Sequence, residues 1–258
     1  MQYREYPPGP SAEHVVRYWS LVVPERTAPE HQHRIVPDGC TDLIVVARDG
    51  ASRLVLRGPR DTPLLIPVRP GDRYWGARIW PDSGGLLVGR AAAELVSFVG
   101  PAEPFLGAGA AERAATVAAV ANVADGPGRF EAWLVERFAE APPFDQAVRM
   151  VLLAINAAEG PVRSAGLADL VGLGPRQLQR RFRTATGLTL KTYSRIRRIR
   201  RSLGHLVEGR PRRWSEVAAA LGFTDQSHLI SEFTRLAGAT PGEIAAYVAG
   251  IQHSDVLP

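Results

Sequence analysis

The sequence predicts an α+β protein of two domains. The first is a β-sandwich or small barrel with trailing helices, and the second is all-α, with seven helices and two helix-turn-helix units. Three observations lead there. The first 90 residues hold short runs of branched apolar residues, punctuated by turn signals roughly every ten residues. From Arg90 the chain turns Ala-rich, with apolar residues three and four apart, the spacing of helices. After Ala141-Pro142-Pro143, glycines and prolines divide everything that remains into helical segments. At 258 residues there is room for two separate cores.

In chain order, Asp42–Ala47 and Arg53–Arg57 read as strands between the turns Pro37-Asp-Gly39, Asp49-Gly50, Gly58-Pro59, Pro70-Gly71-Asp72 and Pro81-Asp-Ser-Gly84. Ala91–Val99, Ala110–Val123 and Arg129–Ala139 read as helices, which closes a first domain over 1–140. The second domain, 144–258, divides into Phe144–Ala158, Ser164–Val171, Pro175–Thr186, Thr189–Val207, Trp214–Leu221, Asp225–Ala237 and Pro241–Ala249. Ser164 is a candidate N-cap, and Pro175 and Pro241 suit first helical turns. The short helices joined by Gly172-Leu-Gly174 have the shape of a helix-turn-helix, over 164–186. Those joined by Gly222-Phe-Thr224 repeat it over 214–237, and the connecting helix takes 189–207.

Charge is distributed unevenly. Between Arg163 and Arg213 stand 14 Arg and Lys against Asp169 and Glu208, a window of +12 in a chain whose total is +5. A basic block on an otherwise acidic body suits a polyanion. Cys40 is the only cysteine, which excludes an internal disulfide and a cysteine-based zinc cluster; it reads as a small buried residue. No apolar run reaches the roughly 18 residues that span a bilayer. The start, MQYREYPPGP, lacks a secretory h-region, so a cytoplasmic protein without membrane contact is expected.

In the third helical segment Leu178 and Phe182 suit the core, leaving Arg176, Gln177, Gln179, Arg180 and Arg183 outward. Arg pairs with guanine O6 and N7, and Gln with adenine N6 and N7. In the sixth, Leu229 and Phe233 suit the core, leaving Gln226, Ser227, His228 and Ser231 outward. The connecting helix would be roughly 28 Å long at 1.5 Å per residue. That is near the ~34 Å between successive major grooves on one face of B-DNA.

Val217-Ala-Ala-Ala-Leu-Gly-Phe-Thr-Asp-Gln-Ser-His-Leu-Ile-Ser-Glu-Phe233 with Gly238-Ala-Thr-Pro241, and Gly172-Leu-Gly-Pro-Arg-Gln-Leu-Gln-Arg-Arg-Phe182 with Gly187, resemble the AraC/XylS family of transcription regulators. The resemblance covers about 144–249. It implies base contacts by Arg176, Gln179 and Arg180 in the first unit and by Gln226, Ser227 and His228 in the second. Ser231 stands where the family usually has Arg, and Leu190 where it often has Pro. Gly242-Glu-Ile-Ala replaces the usual aromatic-basic pair. Second-unit readout is therefore expected to be weaker, with the first unit and connecting helix supplying most of the salt-dependent affinity.

Arg34–Val46 and Tyr74–Pro81 resemble the N-terminal domain of a subgroup of the same regulators, which implies a cupin-like fold that binds an effector, dimerises, or both. Trp19, Trp75 and Trp80 are candidates for an apolar pocket with Arg34, Asp38 and Asp42 as polar anchors; core aromatics and turn residues are the plainer reading. His31-Gln-His33 offers two imidazoles on one strand face, but no further His follows until His205, so no metal site and no cofactor are expected.

The expected function is an activator or repressor of transcription, not an enzyme. Its partners would be double-stranded DNA, RNA polymerase, a small-molecule effector and a second copy of the chain. The rivals are a metal-dependent cupin enzyme or sugar-binding module with a helical appendage, which bound iron, manganese or zinc would favour, and a sensor that has lost DNA binding.

Overall fold

The structure is a computed structural model and describes residues 1–27, 31–158, 160–207, 213–249 and 251–254. Its strands are β1 (Gln2–Tyr6), β2 (Val15–Val22), β3 (His31–Ile35), β4 (Thr41–Arg48), β5 (Ala51–Arg57), β6 (Leu64–Val68), β7 (Arg73–Ile79), β8 (Val99–Pro101) and β9 (Gln252–Ser254). Its helices are α1 (Gly84–Val88), α2 (Glu103–Leu106), α3 (Ala110–Ala118), α4 (Gly126–Ala139), α5 (Gln146–Ala157), α6 (Ser164–Leu170), α7 (Pro175–Thr186), α8 (Leu190–Val207), α9 (Trp214–Ala220), α10 (Gln226–Ala237) and α11 (Pro241–Ala249).

Seven strands form one sheet in the order β8-β5-β4-β7-β2-β1-β9, antiparallel except for the β1–β9 pair; β3 and β6 form a separate antiparallel ribbon. β4 is buried from Thr41 to Ala47, so its unbroken apolar run is that of a strand covered on both faces. Alternation sends Leu43, Val45, Leu54, Leu56, Trp75 and Ala77 to one face, where α3 and α4 cover them with Ala114, Val117, Phe130 and Leu134. The other face carries Leu21, Ile44, Val46 and Tyr74, with Trp19 and Val55 of the same sheet and Ile66 of the ribbon packed against them.

The helical part has a core of its own. Leu152, Leu167, Leu178, Phe182, Tyr193, Ile196, Val217, Leu229, Phe233 and Ile244 bring all seven of its helices to one cluster. Side chains tie it to the sheet. Arg149 of α5 donates to both oxygens of the fully buried Asp82 at 2.8 and 2.9 Å and to the Glu13 carbonyl at 2.7 Å. Its guanidinium also lies 4.0 Å from the Phe144 ring centroid and 5.1 Å from that of Trp80. Arg195 of α8 pairs with Asp61 at 3.1 Å. Arg34 of β3 donates to the carbonyls of Ala237 and Gly238 at 3.1 and 2.9 Å, at the C-terminal end of α10. Gly187, which ends α7 at φ 74°, leaves a Cβ no room: it would lie 2.7 Å from the Ala92 carbonyl and the Val96 methyl.

Several expectations need correction. Ala91–Val99 is not a helix: a 3-10 turn spans Ala92–Leu95, Ser97 takes φ 61°, and Val99–Pro101 pairs with β5. Edge pairing overrides the helix propensity of the alanines. The helix expected over 110–123 stops at Ala118, and the Asn122 side chain accepts the Ala124 N–H to open a new turn. Gly84 begins a helix where only a turn was expected. Ser164 is the first helical residue, and Arg163 occupies the N-cap without a side-chain bond. The second half is not wholly helical, because β9 returns to the sheet beside β1.

Candidate nucleic-acid interface and interdomain cavity

α6–α7 and α9–α10 form two helix-turn-helix units with the same construction. In α7, Gly174 precedes Pro175 at the first turn, and Leu178 and Phe182 are fully buried. Arg176, Gln177, Gln179, Arg180 and Arg183 are all exposed. In α10, Asp225 caps the helix by accepting the His228 N–H at 2.8 Å, and Leu229 and Phe233 are fully buried. Gln226, Ser227, His228 and Ser231 are exposed. The His228 Nδ1 lies 3.2 Å from the Thr224 hydroxyl, which fixes the ring beside the turn. Between the units α8 spans 18 residues, or about 27 Å.

The basic window divides into outward and inward side chains. Arg163, Arg176, Arg180, Arg183, Lys191 and Arg213 are exposed. On α8 the arginines turn inward: Arg195 pairs with Asp61 and Glu232, and Arg201 donates to the carbonyls of Ile155 and Asn156. Arg198 lies over Phe223 at 4.0 Å and donates to the Gly222 carbonyl. Arg198 and Arg201 therefore tie the helical part together, and Arg195 ties it to the segment between β5 and β6. The expectation that the connecting helix contributes to a polyanion grip does not hold for Arg195, Arg198 and Arg201. Glu208, Arg210 and Arg212 lie outside the described residues.

A cavity of about 340 Å³ lies between the sheet, the β3–β6 ribbon and the helical part. Trp19, Ile44, Ile66, Tyr74, Ile244 and Val248 give it apolar walls, and Arg34, Arg57, Arg78 and Arg200 line it as well. Behind it, Arg57, Asp42 and Arg78 are cross-strand neighbours on β5, β4 and β7. Arg57 is ion-paired to Asp42, and the Arg78 Nε lies 2.9 Å from Asp38 and 3.5 Å from Asp42. Burial works against ionisation of Asp38, but Arg78 and Arg57 outweigh it and hold its pKa at about 2. Burial, with the Asp38 charge nearby, pushes the Cys40 thiol up to about 12. Burial lowers His33 to about 4, with His31 and Arg57 adding to the effect.

Residues 167–246 match the family described as a helix-turn-helix domain, and residues 4–99 match a domain of unknown function, DUF6597. The HTH-type transcriptional regulator GlxA of Rhizobium meliloti (strain 1021) is 37% identical over 90 residues, 34% of this chain. The region 167–246 is an AraC-type helix-turn-helix domain. The match to GlxA spans 27% of that relative's length. ToxT from Vibrio cholerae O395 shares the fold over 90% of this chain and 98% of its own, with a TM-score of 0.52 and 11% identity. A probable AraC family regulator from Rhodopseudomonas palustris CGA009 overlaps 40% of this chain and 97% of its own, at 22% identity and a TM-score of 0.37.

Outside the AraC-type domain, the six candidate anchors do not form one pocket. Trp19 and Arg34 line the cavity, and Trp19 lies over its cross-strand partner Gly76. Asp38 and Asp42 sit behind its arginines. Trp75, one residue from Gly76, points to the opposite face, where its Nε1 donates to the Val123 carbonyl at 2.9 Å. Trp80 belongs to the Arg149 junction. His31 and His33 lie within β3, and the His33 Nδ1 is 2.6 Å from the Tyr247 hydroxyl. Among the described residues no three His, Cys, Asp or Glu side chains group as metal ligands. Sequence reasoning missed Arg57, Arg78 and Arg200. A charge inside an otherwise buried alternating strand was the available signal for the first two.

Proposed function

We propose that the chain is a sequence-specific, DNA-binding transcriptional regulator whose DNA affinity responds to a small molecule in the interdomain cavity. The observation that supports it best is the pair of exposed polar faces on α7 and α10, carried on one core by two units that α8 connects. Arg176, Gln177, Gln179, Arg180 and Arg183 would reach the first major groove; Gln226, Ser227, His228 and Ser231 would reach the next. The domain division proposed is 1–140 for effector binding and 144–258 for DNA. RNA polymerase and a second copy of the chain are the proposed protein partners. Arg34 and Trp19, with Asp38 and Asp42 behind the wall, are the proposed effector contacts.

The test is selection of the bound site by footprinting, followed by mobility-shift titration of variants on it. Arg180→Ala should weaken specific binding by about 1–3 kcal/mol. Ser231→Ala should cost much less, since a short hydroxyl makes no bidentate contact. The reverse ranking, or no preference for any site over random duplex, would overturn the reading.

A further inference from the structure

We infer that the cavity is a binding site for an organic anion with an apolar body, its acidic group held by Arg200 of α8. This rests on the reading of the cavity as an effector site and adds the chemical class of the effector.

Most charges around the wall already have partners. Arg57 and Arg78 are paired with Asp42 and Asp38. Arg48 is paired with Asp72 at 2.5 Å, and the one acid on the wall, Glu5, is paired with Arg17. Arg34 is committed to the carbonyls that end α10, and Arg53 is exposed to solvent. Arg200 has no hydrogen bond or ion pair to any described residue; it is half-buried, lines the cavity and lies beside the like charges of Arg78 and Arg197. The carboxylate that acts on it most strongly, Asp38, is already shared by Arg78 and Arg57. A guanidinium partly shielded by protein, without a counter-ion and open to the cavity, favours an anion there.

Around Arg200 the wall supplies Trp19, Ile44, Ile66, Ile244 and Val248, and few free polar groups. A neutral polyol would leave its hydroxyls unpaired against that surface, and a cation would meet like charge. An apolar body with a single acidic group satisfies both parts of the site. The volume, about 340 Å³, falls at the small end of ligand pockets. Because Arg200 belongs to the helix that joins the two DNA-reading units, an anion held there would touch that helix directly.

The test uses the full chain and two fluorescent probes of one skeleton, 1-anilinonaphthalene-8-sulfonate and its uncharged counterpart N-phenyl-1-naphthylamine. The sulfonate should bind saturably at one site per chain and take up tryptophan emission, a transfer reduced in Trp19→Phe. Arg200→Met should weaken the sulfonate by about tenfold or more while the neutral probe changes by less than about twofold. Arg200→Lys, which keeps the charge should the Met variant fold poorly, should restore most of the affinity. Arg113→Ala, an exposed cation on α3, should change neither. Equal losses for both probes in Arg200→Met, or none, would overturn the inference. If both probes bind and shift DNA affinity without regard to Arg200, the effector cavity stands and the anion falls. If neither binds, both fall.

Discussion

Arg149→Met removes the main ionic tie between the helical part and the sheet, and its cost follows from the surroundings. Asp82 is fully buried and receives two charge-assisted bonds, at 2.8 and 2.9 Å, from Arg149 alone among the described cations. Breaking a buried pair from one side costs about 3–5 kcal/mol, because the remaining charge is left without a partner. Loss of the guanidinium from over the Phe144 ring adds about 1 kcal/mol. Met keeps an apolar stem between Phe144 and Trp80, so packing losses are small and about 4–6 kcal/mol is expected in total. Urea unfolding of Arg149→Met, Asp82→Asn and the double variant gives the coupling. The double variant should be more stable than the sum of the single losses predicts by at least about 2 kcal/mol. Single losses that add to within about 0.5 kcal/mol would show that the pair contributes nothing as a pair.

Three further outcomes follow from the same geometry. Arg176→Ala and Arg183→Ala should each lower the slope of log affinity against log salt by about 0.9. Arg195→Ala should leave it unchanged, and an equal drop there would mean that α8 faces the phosphates after all. The Tyr247 hydroxyl accepts the Arg34 N–H at 3.0 Å, so its proton goes to the His33 Nδ1, which must be neutral to receive it. With the folded pKa of His33 lowered by burial to about 4 from its ordinary 6.5, its contribution is present above pH 6.5 and lost as pH falls toward 4. Stability measured across that window should decline less in His33→Asn than in the wild type. The Cys40 thiol, raised by burial to about 12, should resist alkylation of the native protein at pH 8 and react once urea unfolds it. Fast native labelling would contradict its burial.

Much of the helical part was legible because its signals are local. Leu178 with Phe182 and Leu229 with Phe233 announce a buried stripe four residues apart, and glycines mark the ends. The strands Asp42–Ala47 and Arg53–Arg57 were legible for a similar reason. What could not be read was anything decided across the chain. The alanines of 91–99 carry helix propensity, but pairing with Val55–Arg57 decides that segment. Trp19 and Trp75 look equivalent as sequence, and strand register places them on opposite faces. The arginines of α8 look like a solvated row until Asp61, Phe223 and the Ile155 carbonyl are brought beside them.

The ends of α7 and α10 rest on residues far from them in sequence. Gly187 closes on Ala92 and Val96; Gly238, at φ 71°, closes on Arg34 and Pro63, each 2.7 Å from where a Cβ would stand. Arg34 also places a positive charge against the carbonyl end of α10, which favours that helix's dipole. Under the proposed reading the sheet acts as a gauge block, holding the two reading heads at a set pitch and angle. Operator spacing then becomes a property of the first hundred residues as well as of the last hundred. Substitutions at Ala92, Val96, Arg34 or Pro63 would retune which half-site separations are accepted without altering a residue proposed to meet a base.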